Sequence, residues 1–257
     1  MTKITAVVNQ KGGVGKTTTT LNLATAISTI GKRVLVIDFD PQGNATTGLG
    51  IMEKKKIIGS YEILIGKAGF DQGIQKTIFP NLSLMPASIH LSGAEVELVG
   101  IKGREKLLLK ALTGLTSFDY VFIDCPPSLG LLTVNALVAA HQVLIPLQCE
   151  FYALEGLSQI LFTLSQVRSH LNPRLLLQGV VLTMFDSRSN LSMQVARDVR
   201  HHLKEKVYET IIPRNVRVAE APSFGKPAIV YDMNCQGSQA YLHLAKEILE
   251  QEGKLAA

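Results

Sequence analysis

The run Asn9-Gln10-Lys11-Gly12-Gly13-Val14-Gly15-Lys16-Thr17-Thr18 constrains this chain more than any other stretch. Apolar Ile4 to Val8 precede it and read as a strand. Thr18 to Ile30 follow, with Leu21, Leu23, Ala24, Ala26, Ile27 and Ile30 at helical spacing. A strand that turns through glycines straight into a helix aims backbone N–H groups, Val14 among them, into one concavity. That concavity lies at the positive end of the helix dipole and suits phosphate oxygens. Gly12, Gly13 and Gly15 are expected to supply positive φ and close backbone approach. Lys16 is then expected to reach the β- and γ-phosphates of a nucleotide, and the Thr17 hydroxyl to ligate Mg²⁺. The pattern departs from the general one at Gln10, where glycine is usual, and a second lysine, Lys11, stands before the glycine pair.

The rest of the chain repeats strand then helix. Val34 to Ile37 form an unbroken β-branched and aliphatic run ending in Asp38-Phe39-Asp40-Pro41-Gln42-Gly43-Asn44. Such runs, lacking alternation, indicate strands covered on both faces, as in a parallel sheet. Ligands of these sheets bind beyond the carboxyl ends of the strands, which puts Asp38 and Asp40 at the mouth of the site. Turn capping is the alternative use of the two aspartates. Tyr120 to Ile123, ending in Asp124, supplies a second strand-end carboxylate of the kind that positions Mg²⁺ directly or through water. Further strands are expected at 81–85, 143–147, 178–183 and 207–212, with helices over 88–98, 104–115, 131–139, 153–170, 191–203 and 238–251. Lys54-Lys55-Lys56 reads as a solvated loop. In the 191–203 helix, Leu191, Val195, Val199 and Leu203 mark the core face, while Arg197, Arg200 and Lys204 form a basic stripe. That stripe is either a solvated face or a polyanion contact.

Composition excludes more than it identifies. The 257 residues are 46% hydrophobic and 18% charged, ample for a packed core and unlike a disordered chain. No apolar run approaches the roughly 20 residues that span a bilayer. The N-terminus enters its first strand at once, leaving no room for a signal peptide, so a cytoplasmic protein is expected. Cys125, Cys149 and Cys235 lie far apart with no C-x-x-C pair, and the histidines show no ligand spacing. Neither a disulfide framework nor a zinc site is suggested. The net charge of +5 is compatible with polyanion binding without demonstrating it.

Taken together, Lys11 to Thr18, Asp38 to Asn44, Asp124 to Ser128 and Ile212 to Pro227 resemble the motifs of ParA/Soj-type chromosome-partitioning ATPases, within the wider ParA/MinD group. The resemblance covers essentially the whole chain. It implies a single P-loop domain over residues 1–257, α/β, with a mostly parallel twisted sheet and helices on both faces. It implies ATP and Mg²⁺ as cofactors. Lys11 is then the signature lysine that reaches the nucleotide of a facing subunit, Lys16 the phosphate-loop lysine, Thr17 the metal ligand and Thr18 a phosphate contact. Asp40 positions the attacking water, Asp38 and Asp124 support the metal, and Pro213 and Asn215 contact adenine. Arg188 and Arg217 match positions that bind DNA without reading its sequence, and Arg197, Arg200 and Lys204 are candidates for the same surface. The implied partners are a second copy in an ATP-dependent homodimer, double-stranded DNA and a ParB/Spo0J-type DNA-binding protein, with no membrane and a nucleoid location. A MinD-like membrane-cycling ATPase shares the loop but needs a basic amphipathic C-terminal helix. The tail here sets Glu247, Glu250 and Glu252 against Lys246 and Lys254. A nitrogenase-iron-protein-like reductase needs cluster-type cysteine spacing, which is missing. A binding-only switch is opposed by Asp40.

Overall fold

The architecture comes from a computed structural model, which describes residues 2–51 and 57–256. The Lys54–Lys56 loop expected above lies outside the described residues. Among them, seven strands form one sheet: β1 (Lys3–Val7), β2 (Val34–Asp38), β3 (Gln75–Lys76), β4 (Leu82–Met85), β5 (Tyr120–Asp124), β6 (Gln142–Gln148) and β7 (Leu176–Thr183). Their spatial order is β3-β4-β2-β5-β1-β6-β7, and every pairing is parallel except β3 with β4. The short antiparallel β3 has no counterpart in the expected strands.

Both faces of the sheet are covered, which is why its strands read as continuous apolar runs. Along β2, Leu35 and Ile37 belong to one core, shared with helices Leu131–Ala139 and Ala153–His170. Val34 and Val36 point the other way, into a core shared with helix Lys16–Thr29 and the C-terminal helix Gln236–Ala256. Leu23 and Ile27 of the first of these helices are wholly buried. Each such side chain contributes about 1.5–3 kcal/mol relative to exposure.

Three expected elements differ in detail. The 88–98 helix is confined to Leu91–Glu97, and the 104–115 helix is a 3₁₀ turn at Arg104–Lys106 followed by Leu107–Leu112. In helix Asn190–Leu203, Val195 and Val199 face the core as expected, but Leu191 is 42% exposed. Ser192 takes the buried first-turn position instead and donates to the Cys149 carbonyl at 3.2 Å.

The stretch 207–212 buries Val207, Tyr208 and Ile212 but is not a regular strand. It pairs with its neighbour at isolated bridges, Val207 with Val180 of β7 and Pro213 with Phe185 just beyond β7. Between them, the amides of Glu209 and Thr210 donate to the Glu247 carboxylate at 2.8 and 3.0 Å, so no ladder forms there.

Parallel pairing also sets the site. Asp38 and Asp124 are direct neighbours in the β2–β5 register, and Val7, the last residue of β1, lies beside Asp124. All three strands therefore deliver their carboxyl ends to one edge, where the glycine-rich loop begins.

Candidate nucleotide site

The loop leaves β1 at Val8 and enters helix Lys16–Thr29 through Gly15, whose φ of 89° is left-handed and disfavours any other residue. Gly13 is also left-handed at 76°, but Gly12 is not, contrary to expectation. A Cβ at Gly12 would meet nothing within 4 Å, so what that glycine leaves open is space for a ligand. The loop is braced from below. Asn9 Nδ2 donates to the Pro146 carbonyl at 2.7 Å, and Thr183 Oγ1 donates to the Val14 carbonyl at 2.8 Å. No side chain caps the helix, so its first amides, which have no intrahelical acceptor, stay available.

Lys16 is only 6% exposed, and its ammonium donates back to the Lys11 carbonyl at 3.0 Å. Burial lowers its pKa, opposed by the charges of Asp124, Cys125 and Asp40. Burial outweighs those charges, so an anion bound in the cleft would stabilise this cation further.

The carboxylates divide into two kinds. Asp38 is fully buried, and its oxygens are taken: Oδ2 accepts the Thr46 amide and hydroxyl, both at 2.7 Å, and Oδ1 accepts the Asp40 amide at 3.3 Å. Burial pushes its pKa up to about 6 despite those donors. Asp124 is the less satisfied one. Thr20 Oγ1 donates to Oδ1 at 3.3 Å, while Oδ2 is buried with no hydrogen-bond partner among the described residues. Burial and the neighbouring Asp38 charge push Asp124 up to about 8, against a lowering by the Thr17 hydroxyl and Lys16. Cys125 beside it is pushed well up by the same burial. Asp40 is buried, with Oδ1 accepting the Gln42 amide at 3.0 Å.

An open cleft of about 410 Å³ is lined by Gly13, Gly15, Lys16, Thr17 and Thr18 together with Asp40, Gln42 and Lys226, with Asp38 and Asp124 behind its lining. A second cavity of about 510 Å³ shares Gly15 and Thr18 and continues along Met184, Pro213 and Asn215. Asn215 caps the Val216–Glu220 helix through Val218, and Met184 takes a left-handed φ of 49° at the same wall. The structure thus brings Pro213 and Asn215 to the loop. No group of three or more His, Cys, Asp or Glu side chains able to hold a metal occurs among the described residues. The open Asp124 oxygen next to Thr17 nevertheless fits Mg²⁺, a cation that takes one or two carboxylates and fills its shell with water and phosphate oxygens.

Lys11 lies outside this cleft. Its side chain is exposed and forms an ion pair with Glu150, and its amide donates to Asn9 Oδ1 at 3.0 Å. The basic candidates are also placed apart from the cleft, and most carry acidic neighbours. Arg188 pairs with Asp186 at 2.9 Å, and Arg217 with Glu220 at 3.2 Å and Asp232 at 3.6 Å. Arg197 and Lys204 are exposed, and Lys204 lies beyond the helix at a φ of 47°, so the stripe is broken at its end. Arg200 is turned inward, donating to the carbonyls of Tyr208 and Glu209 at 3.0 and 3.1 Å and to the Glu209 carboxylate at 2.9 Å. Thr46, Thr183 and Glu247 have no signature in the sequence, since single polar residues in apolar or mixed stretches carry no spacing signal.

Uncapped helix amides around a buried lysine, facing carboxylates at the ends of neighbouring parallel strands, define a P-loop nucleotide-binding fold. Comparison narrows the class. Residues 2–177 match the AAA_31 family (AAA domain). The chain is 54% identical to the chromosome partitioning protein ParA of Caulobacter vibrioides over 97% of its own length and 95% of the relative's. It is 54% identical to the sporulation initiation inhibitor protein Soj of Bacillus subtilis, over 96% and 98% of the two chains. A solved structure of cobyrinic acid a,c-diamide synthase from Mycobacterium smegmatis, with bound ADP and magnesium, is 40% identical. It superposes with a TM-score of 0.86 over 98% of this chain and 96% of that one. This chain belongs to the ParA/Soj family of chromosome-partitioning ATPases.

Proposed function

We propose that the protein hydrolyses ATP to ADP and phosphate with Mg²⁺, dimerises when ATP is bound, and in that form binds duplex DNA regardless of sequence. A ParB-type DNA-binding partner would stimulate turnover and end each cycle, moving chromosome or plasmid DNA in the cytoplasm, on the nucleoid. The observation that carries the reading is a buried Lys16 ammonium with no ion-pair partner among the described residues, near a buried Asp124 oxygen that has no hydrogen-bond partner. A triphosphate offers anions to the first, and its metal offers a cation to the second.

Each side chain has a role in this reading. The amides of Gly13 to Thr18 and the Lys16 ammonium hold the β- and γ-phosphates. Thr17 and Asp124 hold Mg²⁺, which when bound neutralises charge on the transferring phosphoryl oxygens. Asp38 acts one step back, orienting Asp40 and Thr46. Asp40 keeps one oxygen toward the cleft and aligns the attacking water. Lys11 exchanges Glu150 for a phosphate of the facing subunit. Pro213 and Asn215 border the base. DNA phosphates are met by Arg188, Arg197, Lys204 and Arg217. Exposed ion pairs such as Arg188–Asp186 are screened by water and add little stability, so exchanging a carboxylate for a phosphate costs little. Against the membrane-cycling alternative stands the C-terminal helix, whose apolar residues Tyr241, Leu244, Ala245 and Ile248 are already buried in the core.

The test is retention on two unrelated duplexes as salt is raised, with and without ATP. Wild type should be retained equally on both, only with ATP, and log affinity should fall against log salt by about 0.9 per phosphate neutralised. Lys16→Ala should abolish ATP-dependent retention and phosphate release. Arg217→Ala and Arg197→Ala should lower the slope. ATP-independent binding, or strong preference for one duplex, would overturn the reading.

A further inference from the structure

The base-side wall of the site is carried by a segment that β7 and Phe185 hold only at its two ends. From Val207 to Pro213 the chain advances one residue more than its neighbour does between the paired Val180 in β7 and Phe185 just beyond it. The Tyr208 amide donates to the Val180 carbonyl at 3.0 Å and the Ile212 amide to the Leu182 carbonyl at 2.9 Å. Between these anchors the segment bows away from the sheet. Gly179 of β7 makes room for the start of the bow, since a Cβ there would come within 2.6 Å of the Tyr208 ring and 3.1 Å of the Lys206 carbonyl oxygen.

Two side chains from different helices replace the missing ladder. Glu247, on the C-terminal helix, accepts the amides of Glu209 and Thr210. Arg200, on helix Asn190–Leu203, donates to the carbonyls of Tyr208 and Glu209. Donors and acceptors of the same bowed peptides are thus held by opposite charges. Pro213 and Asn215 begin immediately after the bow and line the cavity next to the phosphate loop. The C-terminal helix closes the same corner at Gly237, where a Cβ would lie 2.3 Å from Val218 Cγ2 and 3.2 Å from Asn215 Cβ.

We propose that Arg200 and Glu247 are positioning residues for nucleotide binding: as a two-sided clamp on Tyr208–Thr210 they fix Pro213 and Asn215 against the base. This rests on the reading of that cavity as the base site. It also assigns Arg200 a use other than DNA contact.

The experiment compares Glu247→Gln and Arg200→Lys with wild type for affinity toward MgADP and toward magnesium tripolyphosphate, which carries phosphates without a base. Glutamine leaves one acceptor and opposes its amide to the second N–H, and lysine retains a single donor group for two carbonyls. Both variants should lose about five- to thirtyfold in MgADP affinity, the factor expected from one or two lost hydrogen bonds, with tripolyphosphate affinity unchanged. The KM for ATP should rise while kcat at saturation is kept. Arg200→Lys should also leave the salt slope of DNA binding as in wild type. Equal losses for both ligands, or none for MgADP, overturn the clamp. If Glu247→Gln does not fold, Arg200→Lys carries the same comparison. Asn215→Ala is run alongside: if it leaves MgADP affinity intact, the base-site reading fails and the clamp's role with it. If it weakens MgADP while the clamp variants do not, only the clamp fails.

Discussion

Replacing Asp124 by asparagine should stabilise the nucleotide-free protein at alkaline pH while abolishing turnover. Asp124 is fully buried, one oxygen lacks a partner, and the carboxyl holds its proton up to about pH 8. In the unfolded chain the same group ionises near its ordinary value of about 4. The folded state therefore binds the extra proton, and the group's contribution to stability is lost progressively as pH rises between those values. Asp38, held up to about 6, adds to the slope only at the acid end of that window. Between pH 6 and 8 the slope belongs mainly to Asp124 and amounts to about 1.4 kcal/mol per pH unit, or roughly 2.7 kcal/mol over the interval. For a chain of this length that is roughly 5–10 °C in Tm. The assay is thermal melting of wild type and Asp124→Asn without nucleotide, at half-unit steps from pH 6 to 9. Burial lowers the pKa of His141, which adds a slope of opposite sign below its ordinary value of 6.5, but it is common to both proteins. The difference between the two curves thus isolates the carboxyl. The variant should melt higher at pH 8 than wild type, by an amount that shrinks toward pH 6. Parallel curves would refute the reasoning. Saturating Mg²⁺ and ATP should reverse the order, because only the aspartate gains a cation.

Two further outcomes follow from the same geometry. Asp40→Ala should bind ATP and form the dimer by light scattering yet release no phosphate, and a monomeric or normally active variant would remove its water-aligning role. Lys11→Ala should keep appreciable ATP affinity, since its side chain lies outside the cleft and on Glu150, but lose both ATP-driven dimerisation and turnover. Normal values for both would exclude a role across the interface.

How far the sequence can be read tracks how local each determinant is. The loop, its helix and the strand-end aspartates are encoded by contiguous residues, so the parallel sheet and the cleft are legible in the order of the amino acids alone. Contacts between distant segments are not. Thr46 holds Asp38 from eight positions away, Glu150 meets Lys11 from 139 away, and Glu247 reaches the Glu209 amide from 38 away. The expected strand at 207–212 fails for this reason. Its apolar residues do bury, but the backbone partners that would make it a strand are supplied by a carboxylate and a guanidinium outside the stretch. The basic stripe errs in the same way. Helical periodicity places Arg197, Arg200 and Lys204 on one face, yet it reports spacing and not the partner each charge has found. Arg200 spends its donors on two main-chain carbonyls, Lys204 leaves the helix, and Arg197 alone of the three remains an exposed helical cation. A run of charge in a sequence therefore identifies a surface only after the main-chain groups nearby have been accounted for, because main-chain carbonyls also need donors and an arginine can supply them.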